Sequence, residues 1–348
     1  MKTALITSIF LFFVSTITLA QTVRRVNNRT DLHIGPVTGS SVNVYSTFAA
    51  AHTAALAGDI IYLEGSPTNY GALSITKNVH VKGPGHNTDI NGTQQYTNSA
   101  SVTSVTFSST SDGASIEGVI ATSTITVANG AIGITISKLR AASTTANVIA
   151  ISGQNVTLEQ CLLYNSSTLT SNYPVSIAST ASDVIIKNNI IIKQTSTANA
   201  IYNASLNAIA VYNNTIVGNV LHMRAASFDN NIFYDGDILG SYTGAYNNNI
   251  TGKASPTSTK FTTTGVVMTN VFVSPSTSTT LEASWEFVAA SGTPAHDVGT
   301  VGNHIGHNGG TNPYVLSGMP SIPAIYQATV PSIGSGSTIS ITFKSKSH

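Results

Sequence analysis

Four segments of the chain are variants of one phrase: Val184-Ile185-Ile186-Lys187-Asn188-Asn189-Ile190, Ile209-Ala210-Val211-Tyr212-Asn213-Asn214-Thr215-Ile216, Phe228-Asp229-Asn230-Asn231-Ile232 and Tyr246-Asn247-Asn248-Asn249-Ile250. The second Asn, at 189, 214, 231 and 249, recurs at steps of 25, 17 and 18 residues. Such a period is one coil of a β-solenoid, a unit that buries its inner face only against its neighbours. Alternation before the Asn pair puts one strand face inside and the other in water. Asn then turns the chain, because its short amide side chain tolerates left-handed backbone angles. The apolar residue that follows is expected to point inward. Stacking coils should place the turn amides in a ladder.

Fainter copies lie upstream, in Val156-Thr157-Leu158-Glu159-Gln160-Cys161-Leu162, Ile134-Thr135-Ile136-Ser137-Lys138-Leu139, Ala114-Ser115-Ile116-Glu117-Gly118-Val119-Ile120 and Val79-His80-Val81-Lys82-Gly83. Residues 83, 118, 138 and 160 then mark equivalent turns. The polar 87–101 stretch is left as a loop.

Residues 1–20 read as a signal peptide: Lys2, an apolar run over 4–14, and Thr18-Leu19-Ala20 as a cleavage site. A secreted product is expected, exported to the medium, cell surface or periplasm. Residues 21–43 are a lead-in. Over 44–57, Val44, Phe48, Ala51 and Ala55 form one apolar stripe, which predicts a helix ended by Gly58 and seated over the first coil. The β-helix is expected over 44–310 with that helix as its cap. Residues 311–348 form a tail with one further strand at Ile339-Ser340-Ile341-Thr342-Phe343.

Charged residues are 8% of the chain, against about a quarter in an average protein. Ser, Thr, Asn, Ala and Gly take their place on the surface. No basic cluster follows Arg24, Arg25 and Arg29, so nucleic acid has no electrostatic footprint. No later stretch is long and apolar enough for a transmembrane segment. Cys161 is the single cysteine and reads as a small buried residue.

The run from Phe48 to Leu63 (FAAAHTAALAGDIIYL), with Ile75-Thr76-Lys77-Asn78-Val79-His80-Val81-Lys82-Gly83-Pro84-Gly85, resembles the N-terminal cap and first coil of secreted right-handed parallel β-helix proteins. These form the pectin-lyase-like superfamily in its broad sense. Ser291-Gly292-Thr293-Pro294-Ala295 and Ile305-Gly306-His307-Asn308-Gly309-Gly310 resemble that group's closing coil. The tail is similar to the ends of uncharacterised β-helix proteins of Bacteroidota. The resemblance implies an all-β, single-stranded right-handed parallel β-helix. It implies no one activity, since this fold hosts many.

Polysaccharide lyases of this fold need a base beside the uronate carboxylate and a cation to neutralise it. The strand before each phrase should carry such a site. There Tyr202 and His222 are one coil apart, and Arg224 follows; Tyr202, His222 and Arg224 are the catalytic candidates for a metal-free lyase. Glu159, Lys187, Tyr212 and Asp229, with Glu117, should line one outer edge, where they pair or touch glycan. Asp235 and Asp237 are the only close acidic pair in the coils and read as a turn. His296, Asp297, His304 and His307 invite a metal reading, but no helix carries the histidines and the resemblance puts them in the closing coil. No metal and no other cofactor is expected. Two functions remain open: a non-catalytic secreted or cell-surface protein that binds polysaccharide or builds an extracellular layer, and a metal-independent lyase acting on a uronate-containing glycan.

Overall fold

The computed structural model describes residues 21–29, 43–86, 98–195, 197–207, 209–222, 225–240, 244–272, 295, 304–320, 324–329 and 342–346. Residues 1–20, read above as a signal peptide, most of the lead-in, Arg224, His296 and Asp297 lie outside the described residues.

The repeat folds as a parallel β-helix. Among the described residues its strands form three parallel sheets of 11, 8 and 8 strands. Sheet A holds the alternating half of each phrase, as in Ser182–Lys187 and Ile209–Tyr212. Sheet C follows the Asn pair, as in Ile190–Lys193 and Thr215–Val217. Sheet B completes the coil, as in Val175–Ile177 and Asn199–Asn203. Each strand pairs with its counterpart one coil on, in register: Lys187 lies beside Tyr212, and Tyr212 beside Asp229. The interior is one continuous apolar column running from Val26 to Ile238.

The two Asn of each phrase divide the work. Asn188, Asn213, Asn230 and Asn248 take the left-handed conformation, with φ of 54°, 55°, 58° and 53°. Upstream the same place is held by Gln160, Lys138 and Gly118, as the faint copies predicted, whereas Gly83, the fourth expected turn, does not take the left-handed conformation. The second Asn keeps ordinary backbone angles and points inward. Asn189 Nδ2 donates to Asn214 Oδ1 at 3.0 Å, Asn214 Nδ2 to Asn231 Oδ1 at 3.1 Å, and Asn231 Nδ2 to Asn249 Oδ1 at 3.0 Å. The backbone N–H of each upper Asn donates to the same oxygen. All four amides are buried, so every polar atom of the column has its partner inside the stack, as burial demands.

One expectation reverses. The residue directly after each Asn pair does not point inward. Ile190, Ile232 and Ile250 face outward from sheet C and are buried there by Val266, Met268, Phe272, Ala295, Ile305 and Tyr314. The inward residue is the next one, Ile191 or Ile216. Sheet C is therefore covered on both faces, which explains why 190–192 is an unbroken apolar run.

The cap is shorter than its apolar stripe. The helix spans Phe48–Ala54, with Thr47 as N-cap accepting from Ala50 N at 3.2 Å. Val44–Tyr45 is a strand instead, paired with Val23–Val26, which in turn pairs with Ile60–Leu63. The sheet thus begins inside the lead-in. Backbone pairing at the open edge outweighs continuation of the helix, because edge strands leave unpaired donors. Phe48, Ala51 and Ala55 are buried in the core as expected.

Residues 304–320 do not add a coil. They run lengthwise along the turn column as a strap. Gly306 N donates to Asn230 O at 2.8 Å, and Asn188 Nδ2 donates to the carbonyls of His307 and Gly309 at 3.1 and 2.7 Å. Gln160 Nε2 donates to Pro313 O, and His86 N to Ser317 O at 3.0 Å. The left-handed residues project their side chains out of the solenoid, and the strap uses them as handles. In the tail, Ala324–Thr329 pairs antiparallel with Thr342–Lys346; the predicted tail strand thus begins at 342 within the described residues. No helix among the described residues is long and apolar enough to cross a membrane.

Candidate functional site

The outer face of sheet B carries small, uncharged side chains. Register places Ser74, Thr106, Thr126, Ala150, Ser176 and Tyr202 in one row. Rows repeat at the strand spacing of about 4.8 Å. The small residues end at Tyr202, where aromatic groups gather; Leu221 and Leu239 continue the row. The Tyr173 and Tyr202 rings are parallel within 15°, with centroids 4.9 Å apart. The His222 ring stands edge-on to Tyr202, centroids 6.1 Å apart and planes at 73°.

Local backbone positions each member. Tyr202 lies mid-strand in Asn199–Asn203, beside Ser176 and Leu221. His222 follows the strand Asn219–Leu221, is exposed, and holds φ at 58°. That angle is uncommon for a side chain of this size and turns His222 out of the strand path. Tyr173 ends the 166–173 loop that leads into sheet B, and its backbone N–H donates to Asn147 Oδ1 at 2.8 Å.

The register sets Tyr202 beside Leu221, and His222, one residue on, lays its ring against Tyr202. The sequence count of about one coil brought the two near each other without placing them in register. It missed Tyr173, which precedes its strand by way of a long loop and falls outside the coil count. Arg224 lies outside the described residues. The facing surfaces of the two tyrosines are closed to a ligand. What the stack offers is its outer ring surface, ring edges and phenol groups. Burial, and then Tyr202 beside it, raises the Tyr173 phenol above its ordinary pKa. It stays protonated at neutral pH, able to donate a hydrogen bond.

The second candidate strip is the end of sheet A. Glu159 and Lys187 pair at 2.9 Å, and Lys82 and Glu117 at 2.5 Å. Glu159 also accepts from Asn312 Nδ2 of the strap at 3.0 Å. Asp229 accepts from Ser227 Oγ and from Asn247 Nδ2, the latter at 2.7 Å. Tyr212 sits half-buried between Lys187 and Asp229. The two glutamates of this edge are paired with lysines across coils, and Asp229 is held by neutral donors.

Of the acidic turn, Asp235 is exposed and Asp237 is fully buried. Asp237 accepts from Ile238 N, Thr257 N, Ser258 N and Lys253 Nζ, pinning the segment that follows the last coil. His307 is also structural: its Nδ1 is 2.8 Å from Thr215 Oγ1 and its ring stacks on Phe272. No group of three or more His, Cys, Asp or Glu among the described residues is arranged to hold a metal. Compared with protein-family models, curated proteins and solved structures, the chain matches none.

Proposed function

We propose that the protein is a secreted or cell-surface β-helix protein that binds glycan on the outer face of sheet B, without catalysis. The observation that carries this reading is the Tyr173–Tyr202–His222 stack at the end of a row of Ser and Thr. Aromatic surface with polar tips suits sugar rings, which carry both C–H faces and hydroxyls. The low charge of the face suits a neutral polymer. The sheet A edge, with Glu159, Lys187, Tyr212 and Asp229, is a secondary contact strip at most, because Glu159 and Lys187 pair with each other and Asp229 is taken up by Asn247. The sequence resemblance to pectin-lyase-like β-helix proteins and the secretion signal over 1–20 are consistent with an extracellular polysaccharide.

A second reading rests on the Tyr202–His222 neighbourhood: a metal-independent polysaccharide lyase, with His222 or Tyr202 as base and Arg224 on the uronate carboxylate. Both readings meet one experiment. The purified protein is offered galactan, xyloglucan and mannan beside polygalacturonate and alginate, and unsaturated uronate absorbance is followed. The expected result is binding to a neutral polymer and no absorbance rise. Tyr202→Ala should weaken binding about tenfold, the worth of one aromatic contact. Retention of none of these polymers would overturn the glycan reading, and a sustained absorbance rise would replace it with the lyase.

A further inference from the structure

Lys193 ends the sheet C strand Ile190–Lys193 and is 1% exposed. Its ammonium meets four oxygens: Asn165 Oδ1 at 2.8 Å, Ser167 O at 2.7 Å, Leu169 O at 3.2 Å and Asn172 O at 2.9 Å. All four are neutral. Three come from the backbone of the loop that joins Leu162–Asn165 to Val175–Ile177. An ammonium has three N–H donors, so one is shared, and the arrangement is that of a small cation held by carbonyls. Burial lowers the pKa of the group.

A buried charge is a poor route to stability, since an apolar side chain of the same volume usually does as well or better. The cage therefore asks for another explanation. The loop it gathers ends at Asn172, and the next residue is Tyr173, which stacks on Tyr202. The other anchors at this end of the loop are Asn172 Nδ2, which donates to Thr145 O and Ser167 Oγ, Asn172 N, which donates to Leu169 O, Tyr173 N, which donates to Asn147 Oδ1, and Tyr173 O, which accepts from Val148 N at 3.0 Å; none of them reaches the middle of the loop from another coil as the ammonium does.

We propose that Lys193 is a positioning residue for the glycan-binding stack: the 166–172 loop folds around its ammonium, and it acts on the ligand through Tyr173. This rests on the glycan reading above, but the positioning step can be measured without any glycan. In Lys193→Met, amide exchange over 167–173 should rise and the near-ultraviolet circular dichroism of the tyrosine pair should fall to the level of Tyr173→Ala. In Lys193→Ala, methylammonium should occupy the emptied cage and restore both signals, which neutral methanol should not. Binding of galactan, xyloglucan or mannan, whichever the wild type retains, should weaken about tenfold. In a Tyr173→Ala background, Lys193→Met should change that affinity less than about twofold, because the two act as one unit.

An unchanged tyrosine signal in folded Lys193→Met would overturn the proposal, as would additive losses of affinity in the double variant. A wild type that binds none of the polymers would sink the glycan reading alone, leaving exchange and dichroism to decide the positioning role. Should both Lys193 variants fail to fold, Asn165→Ala removes one acceptor and keeps the ammonium. A loop-confined rise in exchange with a weakened tyrosine signal then supports the proposal, and an unaltered signal refutes it.

Discussion

The backbone N–H of Cys161 donates to Oδ1 of Asn189 at 2.9 Å, so the cysteine is the top rung of the asparagine ladder. Its thiol imitates an amide. Sγ lies 3.1 Å from Glu159 O and 3.8 Å from Ile136 O. Asn189 Nδ2 makes the same two contacts one coil below, with Lys187 O and Leu158 O at 2.8 and 2.9 Å. Above Cys161 the column turns apolar, through Leu139 and Val119. The ladder is thus a polar core segment grafted onto an apolar one, with Cys161 at the junction.

The middle of that ladder should be its most sensitive point. Asn214→Val removes the oxygen that receives both Asn189 N and Asn189 Nδ2, and the donor to Ile186 O and Tyr212 O. Several buried groups lose partners at once, so the expected cost is about 3 kcal/mol. Asn249→Val, at the end of the stack, should cost less. Urea unfolding of the two variants measures the difference, and equal, near-zero shifts would refute the ladder as a source of stability.

Cys161→Asn should extend the ladder by one rung. Its amide would reach Ile136 O and Glu159 O, which the thiol now approaches, and add about 1 kcal/mol. A loss in thermal or urea stability would show that the site is shaped for sulfur. In the wild type, burial pushes the thiol up to about 12. A disulfide reagent at pH 8 should therefore modify Cys161 only as fast as the chain unfolds.

The legible part of this fold is the part written at short range. An Asn pair after an alternating strand marks a coil because a left-handed turn and an inward amide both favour Asn. Where the inward place is Val119, Leu139 or Cys161, the same turn leaves a fainter trace. The strap could not be read, since its contacts join residues such as Gln160 and Pro313, 153 positions apart. Nor could the outward burial of Ile190, which depends on Val266, Met268, Phe272 and Ala295, with Ile305 and Tyr314 of the strap, lying over sheet C. At the candidate site, a count of about one coil put Tyr202 near His222, although the register pairs Tyr202 with Leu221. Tyr173 was missed because the loop built on Lys193 takes it out of register with the repeat.

Acid should loosen the C-terminal end of the solenoid. Burial raises the Asp237 carboxyl, but the donors Thr257 N, Lys253 Nζ, Ser258 N and Ile238 N outweigh it and hold the group below the ordinary carboxylate range. A depressed folded pKa contributes stability that is fully present above the unfolded value of about 3.9 and is lost as pH falls through the folded one. Unfolding free energy should therefore fall below about pH 4. Asp237→Asn should be less stable at pH 7 and show a shallower acid limb. Parallel acid limbs for wild type and variant would remove Asp237 from this role.

The last prediction separates the two faces and the two functions. Glu159→Gln breaks the pair with Lys187, and both groups keep some solvent contact. It should cost less than about 1 kcal/mol and change retention of a neutral polymer by less than about twofold. Tyr202→Ala should weaken retention about tenfold with the fold intact. His222→Ala tests the lyase directly. A base beside the uronate is worth at least about a hundredfold in turnover, so a lyase would lose nearly all activity in this variant, and in Arg224→Ala as well. The expected outcome is that polygalacturonate and alginate yield no unsaturated product with the wild type. Turnover by the wild type that disappears in both variants would establish the lyase and its site. Turnover that survives both would place the chemistry elsewhere on the solenoid, and would end the non-catalytic reading too.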